Sequence, residues 1–219
     1  MLALTLADGF AALNRGDLAT AGEACKQALE KDQTQVPAHF LVGLVALEGQ
    51  QRQVAHKAFK SVVKLDHNHA AAWAHLAKLN VGEGRIAAAE SALNEVRRIQ
   101  PNDPVVIELT GTVLNSLGEY EAAERFFERA HQMLPNNSSA LMNLGNVRVF
   151  LGKIDDAVAL FKRAISLEPS NAQCHWGLAN SERAGSDDHV IQMQALIQSG
   201  QQSKSAQGFL HYAIGKESE

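Results

Sequence analysis

Nine histidines and two cysteines are the side chains of this sequence best suited to hold a metal or attack a substrate, and their spacing argues against both. His67-Asn68-His69, with His75 nearby, is the densest group. No carboxylate or thiolate completes a tetrahedral set around it. Cys25 and Cys174 belong to no CxxC pair, so neither a zinc site nor a disulfide framework is indicated. The chain has no glycine-rich phosphate loop between a strand and a helix, no GxSxG and no HExxH. Glu119, Glu121 and Glu124 stand near Arg125 and Arg129 at the spacing of solvated pairs on a helix surface. The expectation is a protein without metal, cofactor or catalytic centre.

The elements that carry these residues read as helices throughout. Ala, Leu, Glu, Gln and Lys dominate, and only 5 prolines and 16 glycines interrupt 219 residues. A net charge of -4 and 5% aromatic residues disfavour a nucleic-acid surface, which needs cations for phosphates and rings for bases. The start, Met1 to Asp8, lacks the basic region of a signal peptide. No run approaches the ~20 apolar residues of a membrane span. A cytoplasmic protein is expected.

A period of 34 organises the chain, with repeats starting at Leu2, Val36, Ala70, Pro104, Ser138 and Ala172. The repeat 138–171 places Leu141, Leu144 and Gly145 on one helix, then Gly152, Ala157, Phe161, Ala164 and Pro169 on and after a second. Repeats 104–137 and 70–103 fill the same slots with Gly111, Phe127 and Pro135, and with Ala77, Leu93 and Pro101. Repeats 36–69 and 2–35 are weaker but in register, through Gly43 and Phe59 and through Gly9 and Cys25. Small residues at slots 8 and 20 let two antiparallel helices approach, and bulk at slot 24 fills the flanking space.

This pattern resembles the tetratricopeptide repeat (TPR) family. The resemblance implies an all-α, right-handed superhelical solenoid of antiparallel helix pairs. A single domain over 1–219 would hold five clear repeats, a degenerate one at 172–207 and a terminal helix at 208–217. In the degenerate repeat, Gly185-Ser186-Asp187-Asp188 reads as a longer turn, with Ile191 and Ala195 near second-helix slots. Ile214-Gly215 then matches slots 7 and 8 of another first helix, which either caps the stack or opens further repeats.

The family's first helices line a concave groove. On that side the early repeats place Phe10, Phe40 and Leu44 with Leu6, Leu13 and Leu47, which either dock a partner's apolar segment or pack against neighbouring helices. The later repeats offer Lys78, Glu108, Thr112, Asn115, Asn143, Asn146, Asn180 and Arg183. Each asparagine amide has a donor and an acceptor for a peptide backbone, although a merely solvated face is the alternative. Asn143-Leu144-Gly145-Asn146 resembles the asparagine-bearing repeats of O-GlcNAc transferases, without continuation at Leu109 or Gly177. The carboxylate clamp of chaperone-binding TPR domains is disfavoured by Lys78 and Leu109. His39, His175 and His211 share slot 4, and Cys25 takes slot 24, so packing is expected of all four.

Function is expected to be a scaffold that binds a protein or peptide partner in this groove. The rival reading starts at Phe209-Leu210-His211-Tyr212-Ala213-Ile214-Gly215-Lys216, which resembles a stretch in bacterial proteins whose TPR repeats precede a sulfotransferase domain. Under that resemblance the chain presents substrate to a transferase domain lying beyond it. A homodimer through the terminal helix or the Phe10/Phe40 groove is a third expectation.

Overall fold

A computed structural model describes residues 4–181 and 188–217. They form thirteen α-helices, and no strand occurs among the described residues. Two compact units divide the chain, Met1–Asn102 and Asp103–Glu219.

The first unit holds α1 (Leu6–Asn14), α2 (Leu18–Lys31), α3 (Val36–Glu48), α4 (Arg52–Leu65), α5 (Ala70–Gly82) and α6 (Ile86–Ile99). These pack as the hairpins α1–α2, α3–α4 and α5–α6. Local signals set the starts. Thr5 and Asp8 form a capping box on α1, Asp17 caps α2 through the Thr20 N–H, and His69 Nδ1 accepts from the Ala72 N–H at the start of α5. The turn after each first helix needs a left-handed residue at slot 15. Gly16 and Gly84 supply it at φ of 77° and 71°, whereas in the second repeat Gln50 is held at 57°.

The second unit holds α7 (Pro104–Ser116), α8 (Tyr120–Met133), α9 (Ser138–Phe150), α10 (Ile154–Leu167), α11 (Ala172–Ser181), α12 (Asp188–Gln198) and α13 (Lys204–Glu217). Gly118 and Gly152 repeat the left-handed turn. Slot 20 is fully buried in all five repeats, at Ala21, Ala55, Ala89, Ala123 and Ala157. The side chain at slot 24 is buried every time as well, at Cys25, Phe59, Leu93, Phe127 and Phe161. A Cβ on Gly145 would lie 2.8 Å from Phe161 Cε1, and one on Gly177 would lie 2.7 Å from the same atom. Two glycine backbones therefore close on one ring, so neither position accepts a side chain without moving it.

The last helices depart from the expected register. It is α13, not α12, that packs most extensively along α11, in the place a second helix takes in the other hairpins. α13 begins at Lys204 rather than at residue 208, and Leu210 and Ala213 are its buried residues. They meet Met193 of α12 and Ala172 and Ala179 of α11. Consequently Ile191 and Ala195 are exposed, as are Gly215 and His211, and the packing role expected of His211 does not hold. The slot-4 role does hold for His175, which is fully buried, while His39 is half-buried with Nε2 2.8 Å from the Gln33 carbonyl oxygen. The expected turn at Gly185-Ser186-Asp187 lies outside the described residues.

Glu124 also departs from expectation. It is buried rather than solvated, because Lys153 donates to both its oxygens at 2.8 and 2.6 Å and Arg148 Nε donates to Oε1 at 3.2 Å. Both cations come from the following repeat. Arg148 also bonds Glu128 at 3.0 Å, which ties α8 to α9.

Candidate functional site

In the second unit the first helices stand side by side, with α9 touching both α7 and α11. Helical periodicity puts Glu108, Thr112 and Asn115 on one face of α7, spaced by a turn or two. Thr112 is exposed and its hydroxyl donates to the Glu108 carbonyl at 2.9 Å. Asn115 is half-buried, and its Oδ1 is buried without a hydrogen-bond partner. Glu108 Oε1 is likewise buried and unpartnered, and burial pushes its carboxyl above the ordinary range.

On α9, Asn143 and Asn146 are half-buried. Asn143 shares slot 6 with His75 and Gly177, which lie against Phe59 and Phe161 of the preceding hairpins. Its register therefore seats it at a helix junction, with Asn146 nearly one turn farther along. Asn180 on α11 is exposed and its amide donates to the Trp176 carbonyl at 2.8 Å. Arg183 lies outside the described residues. Five of the later site residues thus fall on three adjacent helices: Thr112 and Asn115, Asn143 and Asn146, and Asn180.

The other four belong to the first unit. Phe10, Phe40 and Leu44 are half-buried there and Lys78 is exposed. For Phe40 the packing alternative is the one seen, since its ring centroid lies 5.6 Å from Phe59, 4.6 Å from His69 and 5.9 Å from His75. His75 itself stacks on Phe59 at 4.7 Å with the rings 5° from parallel. Burial pulls its pKa down to about 4, and Lys78 and His69 add to the effect.

The histidine cluster points in three directions. His67 Nε2 is 3.0 Å from Glu95, His69 caps α5, and His75 is turned into the Phe59 contact. Both cysteines are buried, which raises each thiol to about 11 and disfavours a nucleophilic thiolate.

One feature was not foreseen from the sequence: an apolar cleft of about 500 Å³ lined by Leu18, Ala19, Gly22 and Cys25 of α2, Val42 and Val45 of α3, and Val54 of α4. Ala19 and Gly22 are the available signal, because small residues on an outward face leave the gap open. A Cβ on Gly22 would meet nothing within 4 Å.

No helix among the described residues is long and apolar enough to cross a membrane. Comparison with curated proteins returns no match. The fold is similar to that of YrrB, described as a TPR protein with an unusual peptide-binding site, with a TM-score of 0.60 and 16% identity over 90% of this chain and 93% of that one. It is also similar to PilF of Pseudomonas aeruginosa, at 0.74 and 18% over 94% and 95% of the two chains. A chain from the Cut9–Hcn1 hetero-tetramer of the APC/C gives 0.77 and 16% over 95% of this chain and 42% of the other. At such identities the likeness is one of fold. The family model for the tetratricopeptide repeat matches residues 46–111 and 114–180, more than half of the chain. With its helix pairs locked in one register through five repeats, the chain belongs to the tetratricopeptide repeat family.

Proposed function

We propose that this chain is a protein-interaction scaffold that holds an extended segment of a partner protein against α7, α9 and α11. The placement of the row carries the reading: Thr112 and Asn180 are exposed and Asn143 and Asn146 half-buried on three helices that stand side by side. Each amide on this row offers a donor and an acceptor to a bound backbone, without demanding a particular sequence. Thr112 and Asn180 extend the row. Lys78, Phe10 and Leu44 form a separate contact surface on the first unit, beside the packed ring of Phe40. YrrB's peptide-binding site, in a protein of the same fold, supports a peptide as the ligand class.

The test is capture of partners from native lysate on immobilised protein, comparing wild type with the combined Asn143→Ala, Asn146→Ala and Asn180→Ala variant at matched melting temperature. One partner lost selectively by the variant is expected. Identical partners on both proteins would refute the row as the site. Sedimentation of the pure chain separates this reading from self-association through α13 or Phe10 and Phe40.

A sulfotransferase-linked role rests on the sequence of residues 209–216. In the structure that stretch is the middle of α13, where Leu210 and Ala213 are buried against α11 and α12 and so have a packing reason of their own.

A further inference from the structure

His175 on α11, His189 on α12 and Glu217 at the end of α13 form one line of hydrogen bonds through the C-terminal part of the second unit. His175 Nε2 is 2.8 Å from the Pro169 carbonyl oxygen. His175 Nδ1 is 2.7 Å from His189 Nε2, and His189 Nδ1 is 2.5 Å from Glu217 Oε1. His175 is fully buried, and the side chains of His189 and Glu217 are 14% and 1% exposed. The line therefore fastens three helices to one another inside the fold, where a missing hydrogen bond is expensive.

Counting hydrogens along the line gives a result that no single residue reveals. Each of the three contacts needs one hydrogen between its two heavy atoms. A carbonyl oxygen only accepts, so His175 Nε2 carries the first. The second lies between the two imidazoles, and the third between His189 Nδ1 and Glu217 Oε1. Two neutral imidazoles beside an ionised carboxylate carry only two hydrogens among them. That is the state of the same groups when free in water above about pH 6.5, given the ordinary values of His and Glu.

We propose that this line is a proton-dependent clasp: folding α12 and α13 onto α11 takes up one proton, and the closed arrangement loosens as pH rises above neutrality. Without the third hydrogen, two lone pairs face each other across the His189–Glu217 contact. Glu217 Oε2, buried and without a partner of its own, offers no compensation. Opening uncovers the apolar seam of Ala172, Ala179, Met193, Leu210 and Ala213.

The sign of the pH dependence follows from the proton count. Above about pH 6.5 the open helices hold two of these protons and the closed ones three, so the closed-to-open ratio falls by up to tenfold per pH unit. On the acid side the direction reverses. Burial holds His175 below the ordinary imidazole value, against the Pro169 hydrogen bond, so the open form gains protons that the closed line cannot take. The clasp is tightest near the ordinary imidazole value.

Other described ionisable groups on the surrounding helices are mostly exposed. Asp188 on α12 and Lys204, His211, Tyr212 and Lys216 on α13 are exposed, as are Asp155, Asp156, Lys162 and Arg163 on α10 and Glu168 after it. Arg148 on α9 is engaged by Glu124 and Glu128, and the buried Cys174 thiol faces the Ser138 hydroxyl at 3.8 Å.

Hydrogen exchange of the full chain tests the proposal, read as amide protection in α12 and α13 after correction for intrinsic rates, with α9 and α10 as internal reference. In wild type, protection of α12 and α13 should fall by up to tenfold per pH unit between about pH 7 and 9. In Glu217→Gln the fall should vanish, because the amide donates a permanent N–H to His189 Nδ1. Parallel profiles for the two proteins would overturn the clasp. Proton and nitrogen NMR of wild type provides a second reading that needs no variant. A downfield proton shared by His189 Nδ1 and Glu217 at neutral pH is expected, and two ordinary neutral imidazoles beside an ionised carboxylate would overturn it.

Discussion

Slot 15 turns left-handed in five successive repeats, and only at Gln50 does that turn carry a side chain. An L-residue there costs about 1–2 kcal/mol of steric strain, part of which is returned through the lower chain entropy of a non-glycine. Gln50→Gly should therefore stabilise the first unit by about 0.5–1 kcal/mol in urea unfolding. His75 makes a second residue-scale prediction. Its value is drawn down from 6.5 to about 4, so its contribution is complete above the free value and is lost as pH falls between the two, roughly 3 kcal/mol in all. His75→Leu should flatten the acid limb of the unfolding curve over that window. At the Phe161 sandwich, Gly145→Ala should cost about 1–3 kcal/mol by overpacking, and Phe161→Ala about 3–5 kcal/mol by leaving a cavity between two backbones. Thermal denaturation reads both.

Helices join to helices through contacts that a single repeat does not contain. Glu124 sits on α8, and the cations that bury it lie 24 and 29 residues away. Burial raises its carboxyl pKa, but the hydrogen bonds from Lys153 and Arg148 outweigh that and hold it below the ordinary range. Its stabilising share is thus present above the ordinary carboxylate value and lost on acidification. Arg148→Met should cost about 1–3 kcal/mol at neutral pH and less below about pH 4, measured by urea unfolding at both. Slots 8, 15, 20 and 24 were legible in the sequence because each is fixed by a steric demand inside one hairpin. Glu124 was not, since a carboxylate on a helix looks solvated until the next repeat arrives. The last three helices escaped for a related reason. Ile191 and Ala195 fit the spacing of a second helix, but it is Met193, Leu210 and Ala213 that are buried, with α13 packed on α11.

Across the whole chain, stability in a repeat protein is a sum of hairpins and nearest-neighbour contacts, and function lies on whatever the packing leaves unsatisfied. Most of the family's slots here are consumed by packing, Phe40 and His75 among them. Thr112 and Asn180, exposed, and Asn143 and Asn146, half-buried, keep polar groups at the surface of adjacent helices. The groove residues were legible as a row because slots repeat, whereas the distinction between packed and surface side chains needed atomic contacts. The most direct test places a photo-crosslinking residue at Thr112, on the α7–α9–α11 row, or at Lys162, exposed on α10, and irradiates each with the captured partner. The account predicts a crosslink from position 112 and none from 162. Crosslinking from 162 alone, or equally from both, would contradict it.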